Sequence, residues 1–205
     1  MPVPTTGIVY PESDGRPIAL GTAQVRWVYA LLITLEARLR KRRDVFVAAG
    51  LIWYPVEGRL VRIAPDVIVA FGRPKGDRRS YKQWQEGGVA PQVVFEAMGE
   101  PEQVGRRERQ AAFYSRHGVE EFYEYDTRTR EFTVRLRSGG SLGAPVSADR
   151  FVSPRLGVRF ECVPGADPLL IEADDIPVAG LQQTAARIER MKAKLRELGL
   201  DPDAV

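Results

Sequence analysis

Pro65-Asp66-Val67-Ile68-Val69-Ala70-Phe71, then Val93-Val94-Phe95-Glu96, then the basic segment from Arg106 to Tyr114 form the stretch on which the reading of this chain turns. The first two are apolar runs too short for helices, so they read as strands buried on both faces. Each carries one carboxylate, Asp66 at the entrance of its run and Glu96 at the end of the other. A buried carboxylate without a partner is costly, so a glutamate behind three apolar residues calls for a cation or an arginine. Hard oxygen ligands of this kind hold Mg²⁺ or Mn²⁺, and such an ion can offset the charge that develops during phosphodiester hydrolysis. The main-chain oxygen of Ala97 would add a third ligand. On spacing alone a plainer alternative stays open, in which Asp66 caps a turn behind Pro65 and Glu96 pairs with an arginine.

Upstream of this centre, Thr22 is a candidate N-cap. Val25, Val28, Tyr29, Leu32, Leu35 and Leu39 then recur at helical spacing, predicting a helix over 22–43. Its basic end, Arg38 to Arg43, suits the negative pole of the helix dipole and reads as a solvated turn, with a phosphate-contacting patch as the alternative. The period then shortens, and β-prone runs predict strands near 45–48, 51–55, 66–71 and 92–98. A helix over 104–117 follows, with Ala111, Ala112 and Tyr114 turned inward and Gly118 as its stop. Runs of period two at 120–125 and 131–137 predict a hairpin with one solvated face, and 156–162 a further strand. Together these make an α/β or α+β sheet with helices against it.

Between the strands, 72–88 is a polar loop carrying Arg73, Lys75, Arg78, Arg79 and Lys82, with Tyr81 and Trp84 among them. It is either a solvated loop or one that flanks a polyanion, with Arg78 and Lys82 as phosphate contacts. Gly72 and Gly76 are not followed by the Gly-Lys-Ser/Thr ending of a phosphate-binding loop. His117, the only histidine, is accounted for by the helix end, and Cys162 as a small buried apolar residue. With one cysteine, neither an intrachain disulfide nor a cysteine zinc site can form.

At 205 residues the chain suits one domain, 1–172, with a Pro/Gly-rich arm over 1–20 and an amphipathic helix over 173–205. That helix would pack back on the core or pair with a second copy, giving a homodimer. A net charge of +3 is too small to argue nucleic acid by itself. The start lacks a basic then apolar leader, and no apolar run approaches the roughly 20 residues of a membrane helix. The expectation is a cytoplasmic protein.

Longer strings carry a resemblance. Val9-Tyr10-Pro11-Glu12-Ser13-Asp14-Gly15, Leu51-Ile52-Trp53-Tyr54-Pro55-Val56-Glu57-Gly58, Ala64-Pro65-Asp66-Val67, Tyr81-Lys82-Gln83-Trp84, Val94-Phe95-Glu96 and Tyr114-Ser115-Arg116-His117-Gly118-Val119-Glu120-Glu121-Phe122-Tyr123 resemble the Uma family of restriction endonucleases. That family belongs to the PD-(D/E)XK nuclease superfamily and is abundant in bacteria. The resemblance implies a restriction-endonuclease-like α/β fold, a mixed sheet flanked by helices, with an extra β-hairpin and a C-terminal helix. It further implies a Mg²⁺ (or Mn²⁺) site on Asp66, Glu96 and the Ala97 carbonyl, with double-stranded DNA as substrate.

In the family the motif lysine has moved to the helix, four residues before the tyrosine that matches Tyr114, and here that position is Gln110. The chain also has Ala97-Met98-Gly99 where Leu-Ser-Pro is usual. A lysine there would orient water and offset charge, whereas Gln110 can only hydrogen-bond. Arg106 or Arg109 would steady phosphate but cannot act as a base. Glu36 on the first helix is a further candidate acid. The expectations are therefore a metal-dependent endonuclease, a weakened one, or a non-catalytic nucleic-acid-binding protein that dimerises through the hairpin or the C-terminal helix.

Overall fold

The computed structural model describes residues 8–13, 21–99 and 105–171. The helix expected over 173–205 and most of the arm over 1–20 lie outside them. In chain order the elements are α1 (Thr22–Arg38), β1 (Val45–Ala49), β2 (Trp53–Tyr54), β3 (Val67–Phe71), β4 (Tyr81–Lys82), a 3-10 turn (Gln83–Glu86), β5 (Val93–Met98) and α2 (Arg106–His117). They continue with β6 (Glu121–Asp126), β7 (Phe132–Ser138), β8 (Ser141–Leu142), β9 (Val146–Ser147), β10 (Arg159–Glu161) and β11 (Leu169–Ile171).

The central sheet runs β1-β3-β5-β6-β7-β8, with β9 also on β7. Within this sheet, among the described residues, only β5 and β6 pair in parallel; β1, β3 and β7 join antiparallel, so the sheet is mixed as expected. Parallel neighbours need a long crossover, and α2 supplies it. The continuous apolar runs follow from a sheet covered on both sides. Odd positions such as Val67, Val69, Val93 and Phe95 meet Trp27, Leu31 and Leu35 of α1. Even positions such as Ile68, Ala70, Val94 and Phe122 meet Ala111 and Tyr114 of α2.

Several expectations are corrected. Helix α1 ends at Arg38 rather than 43, because its buried stripe stops at Leu39 and the basic residues beyond it have no core to cover. Ala112 is exposed, and only Ala111 and Tyr114 of the expected trio are buried. Trp53-Tyr54 leaves the main sheet: the chain turns at Gly50 (φ +61°), and β2 pairs in parallel with β4. The 120–125 strand has no solvated face, since β6 is buried along its whole length. In this hairpin β7 is bonded to β6 on one side and to β8 and β9 on the other.

Gln24 fastens the start of α1 to the end of β5. Its Oε1 accepts from the Gly21 N–H at 2.9 Å, and its Nε2 donates to the Ala97 carbonyl at 2.9 Å. A Cβ on Gly99 would stand 2.5 Å from Gln24 Oε1, so the glycine admits this side chain. Gln24→Ala leaves a buried carbonyl and a helix N-terminus without their partner. It is expected to cost about 1–3 kcal/mol of unfolding free energy in urea titration; no loss would show that the fastening is incidental.

Candidate metal centre

The β3–β5 ladder brings the two carboxylates together. Val67 faces Phe95 and Ile68 faces Val94, so the next pair outward is Asp66 with Glu96, both on the α2 side. Directly opposed residues in such a ladder have Cβ atoms about 4.5–5.5 Å apart. Asp66 Oδ2 accepts the Ala97 N–H at 2.7 Å, and Glu96 Oε1 accepts the Tyr114 hydroxyl. Glu96 is 4% exposed, while Asp66 is half-buried.

Burial pushes both acids above their ordinary range. For Glu96 the rise is large, and the neighbouring Asp66 charge adds to it. The Tyr114 bond and the positive charge of Arg106 act the other way on Glu96 without cancelling it. Burial and the Glu96 charge hold the Tyr114 phenol well above its usual range, so it remains a donor. Two crowded carboxylates that need positive charge, with oxygen as the only donor type, suit a hard divalent cation. Among the described residues, no three His, Cys, Asp or Glu side chains come together as a direct ligand set.

Helix α2 lies over this pair. Arg106, Gln110 and Tyr114 are spaced four apart and share one face of the helix. Exposure rises along the stripe from buried Tyr114 through half-buried Gln110 to exposed Arg106. The pair is therefore closed at the Tyr114 end and open toward the start of α2. Arg109 is exposed beside the stripe, on the same helix. The carbonyl of Ala97 is bonded by Gln24 and retains a second lone pair.

The remaining expected residues lie elsewhere. Arg78, expected at phosphate, instead folds its own loop: it donates to Glu86 at 2.7 Å and to the carbonyls of Gly76 and Pro74, and stacks on Phe46. Lys82 is half-buried on β4, with its ammonium over the Tyr10 ring. Glu36 is three turns beyond Gln24, about 18 Å along α1. There it lines a cleft of about 300 Å³ with Phe46, Ala48, Lys75 and Arg78.

Two groups near the pair were not foreseen from sequence. Arg107 donates from Nε to Met98 Sδ at 3.1 Å and from Nη2 to Asp126 at 3.2 Å. Met98 and Asp126 are register partners on β5 and β6, so the strand alternation held the signal. Glu124 is the register partner of Glu96 and buried on the same face. Its pattern was obscured by the assumption that one face of that strand was wet.

A family model described as "Uma2: Putative restriction endonuclease" matches residues 5–162. Among solved structures, the crystal structure of "a putative nuclease belonging to DUF820 from Anabaena variabilis ATCC 29413" superposes with a TM-score of 0.50. It is 11% identical, and the match covers 70% of this chain and 79% of that one. At that identity the likeness is one of fold. No curated protein matches the chain.

The raised acids set a pH dependence. Stability linked to the proton on Glu96 is complete below about 4.5, the ordinary glutamate value, and is lost as pH rises through the elevated value in the fold. Glu96→Gln keeps an oxygen for the Tyr114 hydroxyl and removes the charge. In metal-free buffer it is expected to stabilise by on the order of 1–2 kcal/mol, more at pH 8 than at pH 5. Thermal melts at the two pH values measure this, and an unchanged or lower midpoint at pH 8 contradicts it.

Proposed function

The chain belongs to the Uma2 family, and we propose that it is a divalent-metal-dependent endonuclease hydrolysing phosphodiester bonds of double-stranded DNA. The observation that carries this reading is the pairing of Asp66 with Glu96 across β3 and β5, beneath the start of a basic helix. In this proposal Asp66, Glu96 and the second lone pair of the Ala97 carbonyl hold Mg²⁺ or Mn²⁺. When bound, such an ion supplies Lewis-acid charge to the scissile phosphate.

The chain's own residues do the rest. Tyr114 fixes the orientation of Glu96 by donating to Oε1. Arg106 and Arg109, at the open end, bind and orient phosphate oxygens, helped by the positive pole of α2. Gln110, between the open and closed ends, orients water through its amide; with no titratable group, it takes no proton. A duplex has two strands to cut, so a homodimer with one centre per strand is part of the same proposal. Its setting would be the cytoplasm of a bacterial cell. Among the described residues no helix is long and apolar enough to cross a membrane.

Gln110 also favours a second reading, a nucleic-acid-binding protein of the same fold without catalysis, because the position of the family's lysine carries no charge. Supercoiled plasmid incubated with Mg²⁺ or Mn²⁺ separates the two. Nicking or linearisation is expected, lost by at least about 100-fold in Asp66→Ala and raised by about tenfold or more in Gln110→Lys. A folded wild-type protein that cuts no DNA form with either ion overturns the first reading. A gel shift weakened by added salt would then support the second.

A further inference from the structure

Two glutamates of β6 are equally buried but differently treated. Glu121, on the α1 side, accepts from the Tyr123 hydroxyl at 2.8 Å, the Ser153 hydroxyl at 2.5 Å and the Arg155 N–H at 2.7 Å. Glu124, on the α2 side, is 4% exposed and accepts only through Oε2, from Arg135 Nε at 3.3 Å. Among the described residues its Oε1 is buried with no partner. The other arm of Arg135 reaches Glu108 at 2.6 Å rather than closing on Glu124. A purely structural ion pair would satisfy both oxygens; leaving one unmet costs roughly 1–3 kcal/mol or more for a charged group.

The place of that oxygen suggests its use. Glu124 stands beside Glu96 across the parallel β5–β6 pair, so Asp66, Glu96 and Glu124 form a row across three neighbouring strands. Arg135 grips Glu124 from β7, the strand on the side away from β5, and the charge of Glu124 is felt at Glu96. Strands lie about 4.8 Å apart, which sets Asp66 and Glu124 roughly two spacings apart, too far to share one ion directly. Hydrated hard cations keep much of their water, and outer carboxylates that accept from such water commonly change affinity by 10–100-fold.

We propose that Glu124 is a positioning residue of the Asp66–Glu96 centre, its unpartnered Oε1 accepting hydrogen bonds from water around a divalent cation held by that pair. The proposal rests on the reading of the pair as a cation site. It assigns the third acid of the row to the outer tier.

Titration of the full chain with Mn²⁺ alone, followed by calorimetry without DNA, tests it apart from activity. Wild type is expected to bind, Glu96→Gln to lose binding, and Glu124→Gln to bind about tenfold more weakly while melting no lower than wild type. Glu124→Asp, which keeps the charge, should recover part of the loss. Glu108→Gln, which touches the same arginine from an exposed position, should bind as wild type does. Equal affinity in Glu124→Gln and wild type overturns the role of Glu124 and leaves the cation site standing. Absence of Mn²⁺ binding by folded wild type overturns the cation site itself. Should Glu124→Gln fail to fold, Glu124→Leu provides the same comparison, with wild-type affinity again the overturning result.

Discussion

The antiparallel ladder between β3 and β5 holds Asp66 and Glu96 against each other on a face closed by α2, where water screens them poorly. Two full charges about 5 Å apart, at the effective dielectric that suits protein sites, repel by on the order of 3 kcal/mol. Strand pairing sets their Cβ atoms close, and the two carboxyls come near enough for a hydrogen bond between them to act on Asp66. Burial and the Asp66 charge push the Glu96 carboxyl up, while a phenol meets one of its oxygens and a backbone N–H meets Asp66.

Helix α2 gives the centre its direction. Its C-terminal half is anchored by aromatic packing: Tyr114 lies parallel to Trp53 at 6.3 Å and against Phe122 at 4.8 Å. The short β2 strand, off the main sheet, places Trp53 against the helix. The N-terminal half carries Arg106 and Arg109 outward, so positive charge is presented where the pair is open. Arg107 and Arg135 turn inward and offset Asp126 and Glu124 on the same side of the sheet. The α2 side of the sheet thus sets buried acids and arginines beside its apolar cluster, whereas the buried acid on the α1 side, Glu121, is met by hydroxyls and a backbone N–H.

Much of this was legible beforehand. Val67 to Phe71 and Val93 to Glu96 declared doubly covered strands, and Tyr114 with Gly118 marked the helix and its end. Less visible was everything that depends on what lies across a gap. Arg78 looks like a phosphate contact in sequence, yet Glu86 and Phe46 engage it, and neither proximity is implied by spacing. The run Glu121 to Asp126 alternates as a half-wet strand does, yet each of its acids is buried because Arg135, Ser153 and Arg107 come from other elements to meet them.

The amino-acid sequence by itself determined the five strands β1, β3, β5, β6 and β7 of the central sheet, the two helices and the two acids that end up paired, because local periodicity and the cost of a lone buried charge are properties of short segments. The tertiary structure alone decided that Asp66 and Glu96 share one face in register, that Glu124 extends their row, and which arginines point in and which out. Those outcomes depend on strand pairing and on the direction of α2 across the sheet, which no single segment encodes.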